Sequence, residues 1–242
     1  MAAPRRPIRA IVFDMDGVLI DSEVIWQRVR ADYAAALGHA WTHEDQVAML
    51  GCSTPVWSEQ MRQRLGLLHL RAQDVADQVK QRVQAAFESA LPTRPGAAEA
   101  LEALAQHYPL ALASGSPRNL VDCAMRLTGF GRYFQSIWTG DDVQHGKPHP
   151  EIYLRAIAAL GVAPGEALGI EDAPNGLLAL RAAGMRAVAA PCPEFPLDAP
   201  TLALADVTID SLRSLTPALV QSLYAAPASE RSHAQCAHDC GT

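Results

Sequence analysis

The chain has 242 residues, enough to bury one substantial core and still carry a smaller inserted lobe. A composition of 49% hydrophobic, 19% charged and 6% aromatic residues excludes a disordered or fibrous chain, and a net charge of −6 offers no basic field for nucleic acid or anionic lipid. No apolar run approaches the roughly 20 residues that span a bilayer, the run at 8–13 is too short for a signal peptide, and five scattered cysteines (Cys52, Cys123, Cys192, Cys236, Cys240) form no disulfide framework; a cytoplasmic location without membrane or nucleic-acid partners is expected.

The run Arg9-Ala10-Ile11-Val12-Phe13 predicts a buried strand that closes on Asp14-Met15-Asp16-Gly17-Val18-Leu19-Ile20-Asp21. Carboxylates at i and i+2 share a face if the strand continues, and Gly17 lets the backbone turn beside a ligand. Ligand sites of open α/β sheets lie at such carboxyl ends, although a lone pair of this kind reads more simply as an acidic turn. Residues 22–91 follow with helical patterning and no convincing strand; Val75, Val79, Val83 and Phe87 recur at i+4 along one helix face. A crossover helix needs only about a dozen residues, so this interval is expected to be an inserted helical lobe. The breaker cluster Leu91-Pro92-Thr93-Arg94-Pro95-Gly96 would end it, and two linkers lying close together would make a hinge.

A second strand, 110–113, ends in Ser114-Gly115-Ser116-Pro117, where backbone N–H groups and the Ser114 hydroxyl could hold an anion; read alone, the segment favours simple helix capping by Ser116. Gly146-Lys147-Pro148-His149-Pro150 predicts a rigid loop ahead of a helix over 151–160, with Lys147 suited to a phosphoryl oxygen or to clustered carboxylates, and His145 and His149 as loop residues. The strand 167–170 closes on Glu171-Asp172-Ala173-Pro174-Asn175-Gly176. Adjacent strand residues point to opposite faces, so one of Glu171 and Asp172 would ligate a metal and the other support it. Together with Asp14 and Asp16 they make an oxygen-rich set suited to Mg²⁺. Runs at 187–190 and 207–209 complete five strands alternating with helices, the pattern of a parallel, doubly wound α/β sheet. Residues 225–242 lack periodicity and are expected to be a disordered tail, although Cys236, His238, Asp239 and Cys240 could in principle bind a metal.

Four strand-end signals in chain order, DMDGVLIDSE, ASGS, GKPHPEIY and GIEDAPNG, resemble the motif set of the haloacid dehalogenase-like superfamily, and the resemblance runs from Ile8 to about Leu223. It implies a Rossmann-like core of residues 1–21 and 92–224, a helical cap of residues 22–91 and a magnesium-dependent reaction on a small phosphorylated molecule. Asp14 would then be the nucleophile and a Mg²⁺ ligand, and Asp16 the general acid and base, lending its backbone carbonyl to the metal. Ser114, Gly115 and Lys147 would hold phosphoryl oxygens, Asp172 would ligate Mg²⁺, Glu171 would orient the metal shell, and Asp21 would be a turn or cap residue.

Dehalogenases of this superfamily need no metal, so the presence of Asp16, Glu171 and Asp172 points to phosphoryl transfer, and no motif carboxylate is missing as it would be in a binding protein that had lost the chemistry. The cap resembles the β-phosphoglucomutase-like branch, which makes a sugar phosphomutase the alternative. Trp26 stands where the mutase has a histidine, and Thr54 stands in place of a cap arginine expected near Gly51-Cys52-Ser53-Thr54. The segment Asp21-Ser22-Glu23, with Trp26 close behind, looks more like 2-deoxyglucose-6-phosphatase and related sugar or polyol phosphatases. Glu23, Trp26 and Thr54 are therefore candidate specificity residues, Trp26 being equally readable as a core aromatic of the first cap helix. A monomer or weak homodimer is expected.

Overall fold

The computed structural model describes residues 6–49, 52–193 and 195–225. The tail at 226–242, with its candidate metal ligands Cys236, His238, Asp239 and Cys240, and Gly51 of the expected cap-arginine region lie outside the described residues.

Among the described residues the sheet has six parallel strands in the order β3-β2-β1-β4-β5-β6. They are β1 (Ala10–Phe13), β2 (Leu110–Ala113), β3 (Phe134–Trp138), β4 (Ala167–Glu171), β5 (Arg186–Ala189) and β6 (Val207–Thr208). Strands covered on both faces read as continuous apolar runs, and every residue of β1, β2, β4 and β5 is buried. Alternation divides these runs between two cores. Ile11, Phe13, Leu110, Leu112 and Ile170 join one cluster, beneath α5 (Ala97–Ala105) and α6 (Arg118–Thr128). Val12, Ala111, Ala113 and Ala167 join the other, beneath α7 (Glu151–Ala159) and α8 (Pro174–Ala182). Edge strand β3 corrects the five-strand expectation. Its residues are at most half-buried and include Gln135 and Ser136, so it lacks the continuous apolar run that marks its neighbours.

Between β1 and β2 the chain builds α1 (Glu23–Ala36), α2 (His43–Val47), α3 (Thr54–Arg64) and α4 (Ala72–Ser89) before α5. The i+4 row of α4 is buried as its spacing requires: Val75, Val79, Val83 and Phe87 all enter the core. The chain segments entering and leaving this helical interval run side by side. Ile20 forms an antiparallel bridge with Thr93, the Asp21 N–H donates to Pro92 O at 2.9 Å, and the Arg94 N–H donates to Leu19 O at 2.9 Å. Further contacts join the helical interval to the rest of the molecule: α4 meets α6, where Asn119 donates to Gln84 Oε1 at 3.0 Å and Arg126 pairs with Glu88. His43 stacks on Phe195, and Ser53 lies against the backbone of Gly146, at whose α-carbon an added Cβ would sit 3.5 Å from the Ser53 Cβ. The strand order reverses between β1 and β4, the crevice where open sheets bind ligands.

Candidate active site

Asp14 continues directly from β1, its N–H donating to Ile170 O on β4 at 3.0 Å, and its side chain is buried, the residue being only 5% exposed. Gly17 follows with φ +76°, and a Cβ there would lie 1.9 Å from Asp172 Oδ2. Glycine at this position therefore allows both the sharp turn and the approach of the Asp172 carboxylate.

Asp16 is held by hydroxyls from separate segments. Ser22, at the start of α1, donates to Asp16 Oδ1 at 2.6 Å, while Ser114 and Ser116, after β2, donate to Oδ2 at 3.0 and 2.8 Å. Ser114 also accepts the Ser116 N–H at 3.0 Å. The Ser116 hydroxyl turns to Asp16 and makes no cap to the following helix, the role that the segment read alone would favour. Gly115 is exposed beside this pair, and a Cβ on Gly140 would lie 2.4 Å from its carbonyl oxygen.

Lys147 Nζ donates to Asp14 Oδ1 and to Glu171 Oε1, each at 2.6 Å, with its side chain 11% exposed and its ammonium 4.9 Å from the Tyr153 ring centre. Tyr153, fully buried on α7, donates its hydroxyl to the same Glu171 oxygen at 2.6 Å. Glu171 Oε2 accepts the N–H groups of Asp172 and Ala173 at 3.0 and 3.2 Å. Both Glu171 oxygens are thus occupied by protein donors. The loop carrying Lys147 is fixed from behind: the N–H groups of Gln144 and His145 donate to the Glu151 carboxylate at 3.2 and 3.0 Å.

Oxygens of Asp14, Glu171 and Asp172 all lie within 4.8 Å of one another. Burial pushes the Asp14 carboxyl up to about 8; Lys147 pulls it down, and Glu171 and Asp16 push it further up. Asp172 is raised well above the usual carboxylate range by burial, with Glu171 and Asp14 adding to the effect. Burial would lower Lys147, but Asp14 and Glu171 outweigh it and leave the ammonium firmly charged. Ionising all three carboxyls against one ammonium would leave excess negative charge for a cation to offset, and the donors are all hard oxygens. Such a set fits Mg²⁺, with Asp14 and Asp172 the better ligands because Glu171 is already saturated.

The geometry gathers Asp14, Asp16, Ser114, Lys147, Glu171 and Asp172 at the carboxyl ends of β1, β2 and β4. Ser22 and Tyr153 were missed; the available signals were a serine following Asp21 at the start of the helical interval and a phenol on the apolar face of α7. Glu23 lies close to Asp16 and accepts a short hydrogen bond from Gln46 Nε2; burial raises its carboxyl, opposed by Arg30 and Gln46. Trp26 is 6% exposed and packs edge-on against Trp57, their ring centres 5.8 Å apart. Thr54 opens α3, half-buried, next to Ser53, whose Cβ would lie 3.5 Å from a Cβ added at Gly146. His145 and His149 are exposed next to Glu151.

The haloacid dehalogenase-like hydrolase profile matches residues 8–184. Hexitol phosphatase B of Escherichia coli (strain K12) is 35% identical over 219 residues, spanning 89% of this chain and 97% of that protein. A phosphorylated carbohydrates phosphatase of Thermotoga maritima is 31% identical over 188 residues, spanning 75% and 84%. Among solved structures, CbbY from Rhodobacter sphaeroides in complex with phosphate superposes with a TM-score of 0.76 at 29% identity, covering 89% of this chain and 99% of that one. β-Phosphoglucomutase from Clostridium difficile superposes with a TM-score of 0.78 at 22% identity, covering 90% and 97%, a likeness of fold.

Proposed function

The chain belongs to the haloacid dehalogenase-like hydrolases, and on that footing we propose that it is a Mg²⁺-dependent phosphatase acting on a small sugar or polyol phosphate through a phosphoaspartate at Asp14. The observation that carries this reading is the group Asp14, Lys147, Glu171 and Asp172, its first and third members buried, with Asp16 held apart from it by three serine hydroxyls. The names of the E. coli and T. maritima relatives support the substrate class.

Asp14 attacks phosphorus as a carboxylate. Lys147, hydrogen-bonded to it, favours that ionised form and offers a charged donor to the transferred group. Asp14, Asp172 and the Asp16 backbone carbonyl would hold Mg²⁺, which when bound neutralises charge on the phosphoryl group. Asp16 gives its proton to the leaving alkoxide and later takes one from the attacking water. Ser22, Ser114 and Ser116 orient it, and hydroxyls can accept as readily as they donate, so they serve it in both protonation states. The exposed backbone at Gly115 would receive phosphoryl oxygens once substrate enters; the Ser114 hydroxyl, fully buried and given to Asp16, serves them only through the turn that it fixes by accepting the Ser116 N–H. Glu171 positions Lys147 and, through the N–H of Asp172, the ligand beside it.

Residues 22–91 form the cap in this reading, with the paired strands of chain at Ile20 and Thr93 as its hinge. No helix among the described residues is long and apolar enough to cross a membrane; a cytoplasmic location and a monomeric or weakly dimeric state complete the proposal. Hydrolysis is favoured over isomerisation because the mutase histidine position holds a buried indole, Trp26, which can transfer no proton.

The test is a panel of sugar, polyol and nucleotide phosphates assayed for phosphate release with Mg²⁺ and with excess EDTA. Release from sugar or polyol phosphates that EDTA abolishes is expected. Undiminished turnover in EDTA contradicts the metal assignment, and faster formation of glucose 6-phosphate than of inorganic phosphate from β-glucose 1-phosphate favours the mutase.

A further inference from the structure

Helix α1 begins at the catalytic centre, since Ser22 before it donates to Asp16, and Glu23, Trp26 and Arg30 follow on one face at i, i+3 and i+7. Long helical side chains lean toward the N-terminus, so Arg30 reaches back over Trp26 to Glu23, placing Nη1 3.6 Å from Glu23 Oε1. Its guanidinium lies against two indoles that themselves meet edge-on, 4.9 Å from the Trp26 ring centre and 5.6 Å from that of Trp57. Arg30 is only 4% exposed, yet among the described residues its Nε and Nη1 have no hydrogen-bond partner.

Buried donors left unpaired are costly, and charged ones especially so. Here the ion pair to Glu23 balances the charge but does not use the N–H groups. Glu23 retains 21% side-chain exposure and directly follows Ser22, which donates to Asp16, so this polar stripe starts beside the reacting centre. The other polar neighbour, Gln46, is fully buried and committed, donating to Glu23 and accepting the Trp41 indole N–H at 3.1 Å. A second phosphate would be a poor occupant: Glu23 already offsets the guanidinium, and Asp16 and Asp21 add negative charge nearby. An uncharged hydroxylated end suits the stripe, because each hydroxyl can accept from Arg30 and donate to Glu23.

We propose that Arg30, held against Trp26 and Trp57 and balanced by Glu23, is a specificity-determining residue that reads the hydroxyl groups at the uncharged end of a polyol phosphate, a role that rests on the phosphatase reading above. Truncating Arg30 removes donors that only a hydroxylated substrate uses, so substrate discrimination should collapse rather than turnover alone.

The experiment compares kcat/KM for glucitol 6-phosphate and hexyl phosphate, equal in carbon length and differing in hydroxyls, with Mg²⁺ for wild type, Arg30→Met and Arg30→Lys. Wild type is expected to favour the hexitol ester by about 10²-fold, and Arg30→Met to reduce that ratio by at least about tenfold. Lysine keeps the charge but not the planar fork, so Arg30→Lys should recover only part of the ratio. If Arg30→Met does not fold, the lysine variant decides: a lowered ratio supports the role and an unchanged one overturns it. Equal falls on both substrates would make Arg30 a packing residue and overturn it too. A wild-type preference for glucitol 1,6-bisphosphate over the monophosphate that Arg30→Met abolishes would overturn the uncharged end. Release from hexyl phosphate but from no sugar or polyol phosphate defeats this inference while leaving a phosphatase, whereas no release from any phosphoester defeats the phosphatase reading itself.

Discussion

Asp14 and Asp16 are two residues apart and chemically identical, yet one meets an ammonium and the other three hydroxyls. Their substitutions should therefore behave differently. Asp14→Asn is expected to abolish turnover of every substrate, because an amide is neither nucleophile nor adequate ligand. Asp16→Ala should slow a sugar phosphate by about 10²- to 10⁴-fold and an aryl phosphate less during phosphorylation, since a good leaving group needs little protonation; single-turnover rates on both esters check this. Burial also gives Asp14 a signature in pH. Its folded value is raised to about 8 from an ordinary 3.8, so the metal-free folded protein holds a proton that the unfolded chain has released across that interval. The contribution of this group to stability is therefore greatest at low pH and declines as pH rises from about 4 to 8. Mg²⁺ needs the ionised carboxyl, so the rise in Tm on adding Mg²⁺ should grow across the same window and level off above it. A rise that is constant from about pH 5 to pH 9 would contradict the placement of the cation at Asp14. These carboxylates and Lys147 were legible because each sits in a short linear pattern at a strand end. Ser116, Tyr153 and Arg30 were not, because their contacts depend on rotamers and on partners up to 100 residues away.

Among the elements, β4 and α8 carry two glycines with opposite consequences. A Cβ on Gly169 would lie 2.1 Å from a Leu180 methyl, in the contact between sheet and helix. Gly169→Ala is expected to cost about 1–3 kcal/mol of stability by overpacking, with kcat/KM within about threefold of wild type. A Cβ on Gly176 would lie 1.8 Å from the Glu171 carboxyl carbon. Gly176→Ala should displace the group that holds Lys147, and displacements of about 1 Å can cost on the order of 10²-fold in rate. Thermal melts and steady-state kinetics on the two variants separate these effects; full activity in Gly176→Ala would contradict the positioning role of Glu171. Phe87→Ala, which empties a buried site in α4, should cost about 3–5 kcal/mol. Helix α4 was readable because its buried face is strictly periodic, and β1, β2, β4 and β5 because burial on both faces makes them apolar throughout. Strand β3 escaped because an edge position lets polar residues into the run.

For the whole molecule, the reversal of strand order between β1 and β4 brings Asp14 beside Glu171 and Asp172 although well over a hundred residues separate them. The helical interval between β1 and β2 returns to the sheet beside its point of departure, so its length leaves the pairing of the strands undisturbed. Its length and its breaker cluster were visible in the sequence; its contacts through Ser53 and His43 were not, because surface complementarity leaves no periodic trace. All of this geometry converges on one chemical claim, that Asp14 receives the phosphoryl group. The direct measurement is a rapid acid quench of the Mg²⁺-loaded enzyme turning over a sugar phosphate, followed by borohydride reduction and peptide mass spectrometry. Reduction of an acyl phosphate leaves homoserine at the position that carried it. Homoserine at position 14, appearing at the rate of the phosphorylation phase and absent in Asp14→Asn, is the predicted result; steady turnover with position 14 unmodified, or with the mark on another residue, would contradict it.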